Sequence, residues 1–86
     1  MGINLDIGSQ IRNYIANNLL FSSNGFHYSD DTSFLEEGIV DSVGIMELVS
    51  FVEDCFRIPV ADSDVIPDNF DSVSRLSAYI RRKIGD

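Results

Sequence analysis

Asp41 and Ser42 stand where a polar, turn-forming stretch gives way to an amphipathic one, in the run Gly38-Ile39-Val40-Asp41-Ser42-Val43-Gly44-Ile45-Met46-Glu47-Leu48. An aspartate at such a junction accepts from the unpartnered backbone N–H groups one turn ahead, so Asp41 reads as a helix N-cap and Ser42 as the first helical residue. A side chain there points into solvent beside the positive end of the helix dipole, where a phosphate ester is favoured. The chemistry this placement suits is a phosphodiester on the Ser42 hydroxyl. Asp-Ser before an apolar run is also an ordinary helix start, so the pair alone leaves simple capping as an alternative.

Other chemistries lack their parts. A Ser-His-Asp hydrolase needs a histidine beside the serine and a Gly-x-Ser-x-Gly elbow, whereas the flanks of Ser42 supply neither and His27, the single histidine, reads as a loop residue. No catalytic residue is assigned. Asp62-Ser63-Asp64 is followed by Val65 and Pro67 where a calcium loop requires glycine, and one Cys with one His cannot build a zinc site. No metal site is expected. Cys55 has no partner for an internal disulfide, and its apolar neighbours predict a buried thiol in a reducing compartment, which makes the cytoplasm the expected location.

The elements that must position Ser42 are helical. Ile7, Ile11, Ile15 and Leu19 recur at four-residue spacing and predict a first helix from about Asp6 to Leu20, with Tyr14 and Leu20 widening the stripe. Ser22-Ser23-Asn24-Gly25 reads as its exit into a long loop reaching Asp41, which Phe26, Tyr28, Phe34, Leu35 and Ile39 are available to pin. Within that loop Ser33 and Glu36 can cap a single helical turn that Gly38 ends. The second helix follows Asp41 and ends near Phe56, with Ile45, Leu48, Val49, Val52, Cys55 and Phe56 as its core stripe. Pro59 breaks it, one short helical turn fits in residues 62–67, and a last helix starts at Asp71 or Ser72 with Val73, Leu76, Tyr79 and Ile80 inward and Arg81-Arg82-Lys83 at its cation-favouring end. The predicted fold is all-α: a small four-helix bundle of three long helices and one short one, with residues 1–86 forming a single domain.

Charge narrows the partners. The net charge of −8 excludes nucleic acid as a target, and no apolar run approaches the roughly 18 residues a membrane span needs, so a soluble chain is expected. From Asn13 through Phe56 there is no Lys or Arg among Asp30, Asp31, Glu36, Glu37, Asp41, Glu47, Glu53 and Asp54. That field would steer basic partners. Helical spacing sets Val43 and Met46 beside Glu47 and Asp54 on one face of the second helix, with Glu53 nearby, and this mixture suits a docking surface.

The run around Ser42 resembles the acyl and peptidyl carrier proteins, whose attachment motif reads Asp-Ser-Leu with Glu-Leu five and six residues after the serine. Asp41, Ser42, Glu47 and Leu48 match it, with Val43 in place of the leucine. Phe34-Leu35-Glu36-Glu37-Gly38-Ile39-Val40 resembles the family's approach to that serine, Phe56-Arg57-Ile58-Pro59-Val60 its exit from the second helix, and Asp68-Asn69-Phe70-Asp71-Ser72 its lead into the last. The resemblance implies a non-enzymatic carrier with 4'-phosphopantetheine attached to Ser42 from coenzyme A, Asp41 assisting, and acyl or aminoacyl cargo held as a thioester. It implies a phosphopantetheinyl transferase, an acyl- or aminoacyl-activating ligase and downstream synthase or transferase enzymes as partners, in fatty acid, polyketide or nonribosomal peptide biosynthesis. A discrete, monomeric member of the family is expected. The alternative from another class is an acidic helical interaction domain without a prosthetic group.

Overall fold

In the computed structural model, which describes residues 6–20 and 25–85, four α-helices and no strand occur among the described residues. The predicted helix exit at Ser22-Ser23-Asn24 lies outside them. Helix α1 spans Ile7–Tyr14 and opens on Asp6, whose carboxylate accepts from Ser9 N–H at 2.6 Å. That bond also lowers the Asp6 pKa, since it favours the ionised form. The chain does not stay α-helical to Leu20 as the four-residue spacing predicts: Ile15–Leu19 forms a π-turn, with Leu20 N–H donating to Ile15 C=O at 2.8 Å. Asn17 and Asn18, weak helix formers, fall inside that widened turn.

Helix α2 spans Ser42–Phe56, helix α3 Pro67–Phe70 and helix α4 Val73–Ile84. The short turn expected at residues 62–67 divides in two, a 3-10 turn at Asp62–Asp64 and then α3, which begins on Pro67 because proline lacks an N–H that the first helical position would leave unpaired anyway. Ser72 caps α4 by accepting from Arg75 N–H at 3.1 Å. Ile11, Ile15, Phe34, Leu48, Val52, Phe70, Val73, Leu76 and Ile80 are fully or almost fully buried, so one core joins α1, the loop, α2, α3 and α4.

The long loop is held by polar groups as much as by apolar ones. Phe34 and Ile39 are buried as expected, but Tyr28 and Leu35 stand exposed. Asp30 does the work assigned to them: its carbonyl accepts from Ser74 N–H at 2.9 Å, and its carboxylate pairs with Arg12 at 2.9 Å. The first-turn N–H groups of a helix want acceptors, and here the loop supplies one. Ser33 caps its turn by accepting from Glu36 N–H at 3.1 Å, and Gly38 ends that turn at φ +67°, a conformation glycine adopts without a Cβ clash.

Cys55 is exposed, a correction to the expected buried thiol. Its Sγ donates to Gln10 Oε1 at 3.1 Å. Position 55 belongs to the apolar stripe by spacing, yet the α1 side chain it bonds to is the polar Gln10. Tyr79, buried on α4, donates its hydroxyl to Asp64 Oδ2 at 2.8 Å. Burial and then the bond and charge of Asp64 push the Tyr79 phenol up to about 12, so it remains a donor throughout the neutral range.

Candidate functional site

Asp41 has extended backbone, φ −99° and ψ −172°, and its carboxylate accepts from Gly44 N–H at 2.8 Å. Its carbonyl accepts the first backbone bond of α2, from Ile45 N–H at 2.9 Å. Ser42 is therefore the first residue of α2, and it is exposed. The helix start is fixed from behind by close packing. A Cβ on Gly44 would lie 2.7 Å from Val40 Cγ1, so only glycine lets the first turn sit this close to the buried Val40.

Beside Ser42 runs an apolar groove of about 200 Å³, lined by Leu35 from the loop, Ile45 from α2, Val65, Ile66, Pro67 and Phe70 from the α3 segment, and Asp71. Two distant parts of the chain build it. Asp71 joins them: its carboxylate accepts from Ser33 Oγ and from Leu35 N–H at 3.0 Å, and its carbonyl accepts from Phe34 N–H at 2.7 Å. Leu35, 48% exposed, is left over as a loop anchor but present as a groove wall.

Sequence spacing alone does not reveal the groove, because Leu35 and Ile45 lie far along the chain from Val65, Ile66 and Phe70 and each is unremarkable locally. The one local signal is Val65-Ile66 ahead of Pro67, two large apolar residues in a segment too short to need both for its own packing.

The face expected to dock partners is open. Val43 is 68% and Met46 60% exposed, and Glu47 and Asp54 are exposed on the same helix. Glu53 is exposed too, but one carboxylate oxygen is committed to Val60 N–H at 3.0 Å and so helps hold the chain after α2. Arg57 closes α2 in the left-handed region, φ 59°, with its N–H donating to Glu53 C=O at 3.1 Å.

The site thus combines an exposed serine at a helix N-terminus, a cap that does not use its hydroxyl and an apolar groove beside it. The chain belongs to the phosphopantetheine attachment site family, whose pattern matches residues 9–80. It is similar to the D-alanyl carrier protein of Abiotrophia defectiva, 28% identical over 54 residues that make up 63% of this chain and 68% of that protein. It is thus a carrier with phosphopantetheine as its prosthetic group, and not an enzyme. Among the described residues, no helix is long and apolar enough to cross a membrane.

The residues present fit that group. An arm on Ser42 would have its phosphate end at a helix N-terminus, which offsets the local acidity, and the groove wall of Leu35, Ile45 and Ile66 beside its less polar portion.

Proposed function

We propose that Ser42 is the residue that bears 4'-phosphopantetheine, that Asp41 assists its attachment, and that the chain presents acyl or aminoacyl cargo to biosynthetic enzymes that dock on α2. The observation that carries this reading is the exposure of Ser42 as the first residue of α2, at the edge of an apolar groove and inside the matched span. The prosthetic group supplies a thiol that holds cargo as a thioester. The chain's own residues do the positioning: Asp41 holds the helix start through Gly44 N–H, and α2 carries the serine on a rigid element rather than on the loop. A flexible tether then raises the cargo's effective concentration at whichever active site the bundle docks on.

The partners in this reading are a phosphopantetheinyl transferase, an activating ligase, and a downstream synthase or transferase. The relative's name supports an aminoacyl cargo as one case, and the apolar groove supports a small acyl one. A single-domain, monomeric, cytoplasmic carrier is the form in which we place it. Incubation with coenzyme A, magnesium and a broad-specificity transferase should add one arm; an unchanged mass would contradict the reading.

Docking has its own test. Val43 and Met46 give the contact that excludes water, while Glu47 and Asp54 attract a Lys- or Arg-bearing partner face. Exposed ion pairs contribute only about 0.2–1 kcal/mol each, so Glu47→Lys/Asp54→Lys together should slow arm transfer several-fold. The Debye length falls from about 10 Å at 0.1 M salt to about 3 Å at 1 M, so transfer to the wild type should slow over that range and the variant should respond less. Equal rates for both proteins with a flat salt profile would mean that α2 acidity has no part in docking.

A further inference from the structure

The segment that walls the groove has a second side. Val65, Ile66, Pro67 and Phe70 face the groove, whereas Asp64, Asn69 and the Pro67 carbonyl are gripped by side chains of α4. Tyr79 hydroxyl donates to Asp64 Oδ2 at 2.8 Å, and Lys83 Nζ stands 3.8 Å from the same oxygen. Arg82 Nη2 donates to Asn69 Oδ1 at 3.1 Å, Asn69 Nδ2 to Asp64 C=O at 2.9 Å, and Arg75 Nη1 to Pro67 C=O at 3.3 Å. The Tyr79 ring also backs Phe70, the buried floor of the groove, with centroids 5.5 Å apart. Residues 75, 79, 82 and 83 recur at helical spacing, so one stripe of α4 makes every contact but the one from Asn69 to Asp64. α3 itself is four residues long, too short to hold its own shape.

We infer that Tyr79 and Lys83 are positioning residues that, by holding Asp64, fix the Val65–Phe70 wall and so set how large a cargo the groove beside Ser42 can shelter. The second half rests on Ser42 bearing the arm; the first half does not. With the grip in place the groove keeps its volume of about 200 Å³, and a cargo too large for it must leave its end in water. Without the grip, the wall opens locally while α1, α2 and α4 keep their mutual packing.

The test uses Tyr79→Phe/Lys83→Met, which removes the hydroxyl and the ammonium but keeps the ring and the aliphatic stem. Amide hydrogen exchange on the unmodified protein should rise about tenfold at Asn69, Phe70 and Asp71, whose N–H groups close the α3 turn, with Leu48 and Val52 in α2 unchanged. No change at residues 69–71, or an equal rise across all helices, would overturn the inference, because the stripe would then be idle or merely part of global stability. On protein loaded with thioesters of increasing acyl length, the length at which hydrolysis accelerates should be greater for the variant than for the wild type. The same length in both would overturn the assignment of cargo size to this grip. If instead the arm proves to sit on another residue, the exchange result stands, and the Ser42 reading fails together with the assignment of cargo size.

Discussion

Ser42→Ala folds as the parent does and accepts no arm. The side chain is exposed at the first helical position and alanine is the best helix former, so the stability change should stay within about 0.5 kcal/mol. Asp41 still caps α2 through Gly44 N–H, and Gly44 still packs on Val40. Arm transfer, by contrast, loses the oxygen proposed to accept the arm and should fall to background. Circular dichroism with thermal unfolding checks the first half, and intact mass after incubation with coenzyme A and a transferase checks the second. A modified Ser42→Ala protein would move the attachment site elsewhere.

Phe34→Ala is expected to do the opposite, weakening the fold and with it the support of the site. Phe34 is completely buried, its N–H donates to Asp71 C=O at 2.7 Å, and its C=O accepts from Ile39 N–H at 2.8 Å. It is the plug that carries the loop across the core just before Val40 and Asp41. Truncating a buried phenylalanine costs about 3–5 kcal/mol, and the whole stability of a chain this size is about 4–13 kcal/mol. Denaturant unfolding should show a large part of the stability gone, whereas Phe34→Leu, which fills much of the space, should lose far less. A midpoint for Phe34→Ala close to the parent's would mean that the loop does not depend on the core for its path.

The features legible in the sequence are those that one helical turn decides. Asp41 capping α2, Ser33 capping its turn and Ser72 opening α4 all follow from a side-chain oxygen reaching an N–H three residues on, and Gly38 ends its turn because glycine takes a positive φ without a Cβ clash. Stripes such as Val73, Leu76 and Ile80 follow from 3.6-residue periodicity and are buried as it predicts. Periodicity gives the direction of a face but not its width, so it cannot tell that Cys55 lies at the edge of the α1 contact, against Gln10, rather than inside it. Pro67 illustrates a second limit: a proline that ends one segment is equally suited to start the next, and here it starts α3.

The groove and its support were the least legible part. Leu35 and Ile66 share a wall only because Asp71 ties the loop to the end of α3, and Asp64 reaches Tyr79 across 15 residues of chain. Such contacts depend on how two elements are brought together, which no local pattern encodes. The acidic run in residues 30–54 shows the same limit from another direction. Asp30 and Glu53 look like surface charge in the sequence, yet Asp30 anchors the loop on Arg12 and Ser74 and Glu53 holds Val60. Among the described residues, Glu47 and Asp54 are left as the exposed part of that field on α2 with no bonded partner for their carboxylates, which is why the docking variants change those two and spare Glu53.

Fragmentation mass spectrometry of the protein recovered from its own cells reads directly whether Ser42 bears the arm, as proposed. One arm's mass, with or without cargo, is expected on the fragment that contains Ser42 and on that residue within it. An arm found on another residue while Ser42 is bare, or no arm on any fragment, would contradict the proposal.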